Sequence, residues 1–514
     1  MSALTATPAQ VAEPQAAGPR RTASVLALAR FEARELLLQI PVLLFGFLWL
    51  TFTAIGLFRE EGMNDFPILH VVDRETQALP QFFSIAILVS VNSAVLRARR
   101  NKTDEQFSML PMEPWARALA HALSVVPYAL FTALVVGVDF GVAALKPGAV
   151  GSGSVAELVV GPLTVMFAGL IGILLAGLWP LTFVPVLIVV VVYLAVVESV
   201  SLDGGWTSWL SPVVVDENAN GLPVPSDLLE RHSGWHALYL LAVCVLLTCL
   251  AMLVKGGRSV AIKAAAVLAL AVTVLAGFEQ RPGDSAALAE ARRTASEHPE
   301  KVQSCAEYGG STYCSFPEWN GQRARWAQVV DRVRANAGVT TPLTVRQRVD
   351  VTHGVGSDYA LSSQSGAGQV TVGTRWGGNR IPEFAVGVAS VLVAGSEAAA
   401  ENMCGARAVT ALWLVLGDDP TPEDTFRSLR VGDSTVGSAV VLAPTDPVAM
   451  TAQQTDVVNA LLTRPRTEVT AAVKAHWTEL TSPKTTTADA ARLLGVAVPK
   501  GAETCGDEGD EGDE

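Results

Sequence analysis

The chain has 514 residues, of which 50% are hydrophobic and only 17% charged, and its mean hydropathy is +0.36. Soluble globular chains carry about 25% charged residues, so the composition argues for a membrane protein. The net charge of −12 argues against a nucleic-acid partner, because phosphate binding needs a clustered basic face.

Met1–Gly18 is rich in Ala, Thr, Pro and Gln and has no long apolar run, so residues 1–23 read as a disordered cytoplasmic tail. No cleavable signal peptide is expected, since Arg20–Arg21 precede no clean apolar core and cleavage site. Residues 24–38 turn helical. Leu26, Ala29, Ala33 and Leu36–Leu37 fall on one stripe with Arg30 and Arg34 at its edge, which predicts a helix lying in the membrane interface. The alternative is a cytoplasmic extension of the first span, although Pro41 favours a bend.

Ile40–Phe58 is uninterrupted by charge and close to the ~20 residues that cross a hydrocarbon core. An acidic loop, Arg59–Gln81, leads to a weaker second span, Phe82–Leu96, whose Ser84, Ser90, Asn92 and Ser93 are tolerable if they face other helices. Arg97–Arg117 follows and carries Arg97, Arg99, Arg100 and Lys102, which the positive-inside rule places in the cytoplasm. Thr103 and Gln106 have capping-box spacing, so a short helix starts there, with Phe107 and Leu110 on one face and Pro111 and Pro114 ending it. Such a helix offers a docking surface to a soluble partner; the alternative is a solvated loop.

Ala118–Leu145 is a third span. Asp139 within it is a candidate intramembrane polar site, although the segment exceeds one crossing and Asp139 can reach the outer interface. Val155–Trp179 and Leu181–Val197 are the fourth and fifth spans, joined by a tight turn at Trp179–Pro180. A long acidic loop runs to His236, Ala237–Val254 is the sixth span, and Ala264–Phe278, extended back to Ser259, is the seventh. Placing the N-terminus inside assigns twelve Lys/Arg to the cytoplasm, including Arg20, Arg21, Arg117, Lys255, Arg258 and Lys263. The other side receives only Arg59, Arg74, Lys146, Arg231 and Arg281. Everything after Phe278 is then outside the cell.

Residues 279–503 are long enough for a separate extracytoplasmic domain. Helices are expected at Asp284–His298, Gly321–Ala337, Pro382–Ala394 and Ala406–Leu416, and strands at Leu343–Val349 and Gln369–Gly373. Cys305 and Cys314 bracket a Gly309–Gly310 turn and predict a disulfide in an oxidising compartment; Cys404–Cys505 is a further pairing the count allows. Residues 504–514 read as a solvated acidic tail. No phosphate loop, HExxH, CxxC or GxSxG occurs, and His298, His353 and His476 lack ligand spacing, so neither a catalytic nor a metal site is expected, and no cofactor.

The LARFEARELL helix, six spans, a basic first cytoplasmic loop ending SMLPMEPWARALAH and a long acidic loop before the sixth span resemble bacterial ABC transporter permeases of the second exporter class, over residues 24–254. The resemblance implies a six-helix exporter-type transmembrane domain over 39–254 with no nucleotide site of its own. It further implies a homodimer, or a heterodimer with a related permease, in membrane lipid, driven by a separate ABC ATPase. By that likeness Asp104, Glu105, Phe107 and Leu110 contact the ATPase, with Arg30 and Arg34 nearby. The chain departs from the pattern in its seventh transmembrane helix, 255–278, and in the external domain, which makes the expected fold class membrane all-α with an extracytoplasmic mixed α/β, mainly helical addition. The strand-then-helix order at Val370–Ala394 is similar to external peptidase-like domains of some such permeases, but the helix that would carry zinc ligands reads FAVGVASVLVAG. A membrane-anchored external binding or sensor protein, or a degenerate peptidase-like one, is the alternative function.

Overall fold

A computed structural model describes residues 18–58, 62–103, 112–179, 187–188, 191, 211–212, 222–229, 231–281, 285–355, 361–401, 403–432 and 435–500. The N-terminal part is a helical bundle. Helix α1 (Gly18–Leu37) breaks at Leu38–Gln39, just before Pro41 at the second position of α2 (Ile40–Phe58). Next come α3 (Leu69–Glu75) and α4 (Ala78–Arg100), then α5 (Pro114–Ala144), α6 (Val155–Leu178), α7 (Ser233–Val254) and α8 (Val260–Glu279). Among the described residues six helices are long and apolar enough to cross a membrane, with Leu69–Arg100 counted as one. The expected fifth span, Leu181–Val197, lies outside the described residues except for Leu187, Ile188 and Val191, which are helical.

Polarity decides how these helices pack. The weak second span becomes the bundle centre: Ser84, Ser90 and Asn92 on α4 are buried, and Asn92 Nδ2 donates to Gly172 O on α6 at 3.1 Å. That approach needs glycine, since a Cβ at Gly172 would stand 2.7 Å from Leu88 O. By contrast Thr51 on α2 and Thr273 on α8 bond within their own helices, and α2 and α8 are mostly exposed, turning Phe47, Phe52, Val267 and Leu268 outward. Pro114 occupies the first turn of α5, where a missing N–H costs nothing; the short helix expected from Thr103 lies outside the described residues. Ser259 caps α8, accepting from Ile262 N at 3.3 Å, so the extension back to Ser259 is present.

Beyond the bundle lie α9 (Ala286–Glu297) and a four-stranded sheet in the order β1 (Ser304–Tyr308), β2 (Ser311–Ser315), β3 (Thr344–Gln347), β4 (Gln369–Val372). The β1–β2 pair is antiparallel and the others parallel, with α10 (Arg323–Ala337) as the crossover from β2 to β3. Two further helices, α11 (Arg380–Ala394) and α12 (Glu397–Glu401), lead to the buried α13 (Ala406–Leu416). Trp319, Trp326, Phe384 and Trp413 fill the core between sheet and helices. The sequence reading missed β1 and β2 because it took Cys305–Cys314 as a closed loop; it is a hairpin turned at Gly309–Gly310, both with positive φ.

The two parts share a core. Val150, Val224 and Leu228, from connections between bundle helices, are each under 4% exposed and belong to the same hydrophobic cluster as Trp319 and Trp326. Gln322 Nε2 donates to Gly148 O at 2.9 Å and Arg292 Nε to Leu228 O at 2.9 Å. The connections at 62–68, 146–154 and 222–232 therefore lie at one end of the bundle, the domain end. Arg97, Asn101, Thr103, Pro114, Arg117 and Lys255 gather with α1 at the other, where they line one cavity.

Candidate functional site

At the α1 end, α1 lies against α5 and α4. Val25 and Ala29 meet Ala116 and Ala120, small residues that bring the two helices close, and Tyr128 Oη donates to Ala33 O at 2.5 Å. Arg97 at the end of α4 clasps α1 by donating from Nη2 to Glu32 at 2.5 Å and from Nη1 to Glu35 at 2.9 Å. Burial pushes the Glu32 carboxyl above its ordinary value, against the opposing pull of the Arg97 guanidinium. The buried face of α1 is Val25, Ala29, Glu32 and Leu36; of the expected apolar stripe Ala29 and Leu36 are buried, while Leu26 and Leu37 are about half exposed. Glu32 turns inward to reach Arg97. Arg30 and Arg34 consequently lie on the exposed side and make no ion pair among the described residues.

Two depressions flank α1. One, of about 460 Å³, is walled by Phe31, Glu32 and Arg97 and reaches Thr103, Pro114 and Lys255. The other, of about 300 Å³, is apolar and lies between Val25, Leu26, Met112, Trp115 and Leu119. Both border the two ends of the stretch 104–111. The expected contact residues Asp104, Glu105, Phe107 and Leu110 themselves lie outside the described residues.

A second polar assembly, which sequence reasoning missed, joins the bundle to the C-terminal domain. Arg231 Nη2 stands 2.8 Å from Asp73 Oδ1 on α3 and 3.1 Å from Glu157 Oε1 on α6; both acidic side chains are fully buried. Ser154 N donates to Asp73 Oδ2 at 2.7 Å and Gln77 donates to Glu157. From the domain side Glu318 accepts from Ser226 N at 3.1 Å and from the Ser226 hydroxyl, and its other oxygen faces His70 Nδ1 at 3.6 Å. Desolvation pushes the Glu318 carboxyl above its ordinary value of 4.5, outweighing the Ser226 bonds. Read from sequence, these residues are single charges in separate segments. Only folding brings 73, 157, 231 and 318 together, so composition carries no signal for them.

The structure places Asp139 at the domain end of α5, in a cavity of about 500 Å³ shared with Glu75 and Trp376. Cys305 and Cys314 are bonded across β1–β2. Cys404 is also disulfide-bonded, while Cys505 lies outside the described residues; Cys244 and Cys249 on α7 are free. Among the described residues no group of three or more His, Cys, Asp or Glu is placed to hold a metal ion. No family model matches the chain, and neither a curated protein nor a solved structure matches it.

Proposed function

We propose that the chain is the membrane subunit of an ATP-driven exporter, moving its substrate when a separate phosphate-loop ATPase binds the α1 end. The observation that carries this reading is the pair of depressions on either side of α1, each bordering the stretch 104–111, with α1 held to α4 by the Arg97 clasp. An anchor for an external domain needs one span and no such receiving surface. In this reading seven spans put the N-terminus in the cytoplasm and the C-terminal domain outside, following the Lys/Arg bias. Phe107 and Leu110 enter the ATPase as apolar anchors, each worth about 1.5–3 kcal/mol when fully buried. Arg30 and Arg34 add exposed ionic contacts of ~0–1 kcal/mol each. The C-terminal domain is held to the bundle through Glu318, Gln322 and Arg292, which bond Ser226, Gly148 and Leu228 of the connecting loops. The test is co-purification from the native membrane: a phosphate-loop ATPase accompanies the wild-type chain and is lost with Phe107→Ser/Leu110→Ser. Equal recovery from both would show that the stretch is merely solvated.

A further inference from the structure

The cavity of about 460 Å³ at the α1 end gathers cations that the fold does not use. Four basic side chains line it: Arg97 near the end of α4, Arg117 and His121 near the start of α5, and Lys255 just past the end of α7. Arg97, Arg117 and Lys255 all lie within electrostatic range of the His121 ring, so the group converges on one place. The lining holds one carboxylate, Glu32, and Arg97 is committed to it and to Glu35 outside the cavity. The side chains of Arg117, His121 and Lys255 make no hydrogen bond or ion pair among the described residues, and all three are partly withdrawn from solvent. Like charges held together in a partly dry groove repel, and an anion between them relieves that cost. The rest of the wall is apolar, from Leu28 and Phe31 on α1 to Val95 on α4 and Ile173 on α6. Phe31 is 53% exposed, so this wall is open to the surroundings.

We infer that this cavity binds the phosphate of an anionic phospholipid, through Arg117 and Lys255. The phosphate oxygens accept from the guanidinium and the ammonium, His121 flanks them, and an acyl chain lies along Leu28 and Phe31. A basic pocket between membrane helices at the Lys/Arg-rich end is where an anionic head group is held best, and arginine's planar fork suits phosphate oxygens. A free inorganic anion has no use for the apolar wall. A choline head group brings its own cation to the same place and gains less. This assignment is independent of whether an ATPase drives the chain.

The full chain is reconstituted in nanodiscs of equal parts phosphatidylglycerol and phosphatidylcholine with the same acyl chains, and the lipid it retains is read by native mass spectrometry. The wild type is expected to keep phosphatidylglycerol over phosphatidylcholine by at least about ten-fold, the order that two cations supply at a membrane surface. Arg117→Gln/Lys255→Gln is expected to lose that preference. Arg99→Gln/Arg100→Gln, which removes two exposed cations outside the cavity, is expected to keep it. Because the first variant alters residues at helix ends, a second measurement uses the wild type alone. Phosphatidylglycerol carrying a photoreactive diazirine beside its head group is expected to label peptides containing Phe31 and Arg117, and the phosphatidylcholine analogue not to. Added inorganic phosphate then separates the sources. Loss of labelling shows that the phosphate group alone determines binding; labelling that persists shows head and chain held together, and both support the site. Equal retention and equal labelling by the two lipids would overturn it and leave the cations to an acidic protein segment. A preference lost in the Arg99/Arg100 variant and kept in the Arg117/Lys255 variant would overturn it too, as the mark of a diffuse basic surface.

Discussion

At the residue scale the most consequential side chain is Arg231, since it faces both fully buried carboxylates, Asp73 and Glu157. Replacing a buried pair wholesale is often neutral, but removing one partner strands the other. Arg231→Met is therefore expected to destabilise the chain by about 3–5 kcal/mol, read as a lowered unfolding midpoint in detergent. A loss below about 1 kcal/mol, the range of exposed pairs, would show that the cluster is solvated. Glu318 makes a pH-dependent contribution beside it. Its folded pKa is raised, so the fold favours the protonated acid. That contribution is fully present below the ordinary value of 4.5 and is lost as pH rises through the raised value. Glu318→Gln keeps an acceptor for Ser226 and removes the titration. The variant's unfolding midpoint is expected to fall less than the wild type's as pH rises from 4.5; parallel curves would refute the assignment. None of this was legible in the sequence, where Asp73, Glu157 and Arg231 are one charge each in separate segments. Asp139 was legible, as a lone acid in an apolar run, but Glu75 in the same cavity was not, because α3 was read as part of a loop.

At the element scale, hydropathy located the helices well and their faces less well. The span at Val155–Leu178 and the buried helix Ala406–Leu416 fall where the apolar runs predict. The α4 span was read as short because its serines and Asn92 lower its hydropathy, although those residues are what place it at the centre. On α1 nothing in the sequence marked a charged residue, Glu32, as part of the buried face, because it is turned inward by Arg97. The disulfide was legible from two cysteines flanking Gly-Gly; that it ties two strands, Cys305 opposite Cys314, was not. Closing a loop of this length stabilises by roughly 2–3 kcal/mol in the chain-entropy picture. Cys305→Ser/Cys314→Ser is expected to lose about that much in thermal unfolding of the C-terminal domain. An unchanged midpoint would mean that the β1–β2 ladder alone restricts the unfolded hairpin.

At the scale of the whole molecule, two ends with different chemistry define the account. The α1 end is basic and borders 104–111; the domain end carries the sheet, the Arg231 cluster and the Asp139 cavity. Loops 146–154 and 222–232 contribute Val150, Val224 and Leu228 to the C-terminal core, so domain and bundle pack directly against each other. That contact was not legible in the sequence, since these three resemble any other apolar loop residue. The sidedness proposed from the Lys/Arg bias is checked in whole cells. A cysteine at Arg332 is expected to react with an impermeant maleimide and one at Arg100 not to; the reverse pattern would invert the topology.

The most direct test of the central claim is ATP hydrolysis by the chain purified from its own membrane and reconstituted in nanodiscs. The account predicts vanadate-sensitive hydrolysis that co-elutes with the wild-type chain and falls to background with Phe107→Ser/Leu110→Ser, while both proteins keep the Cys305–Cys314 bond. Hydrolysis that never accompanies the chain, or that persists undiminished in the double variant, would contradict it.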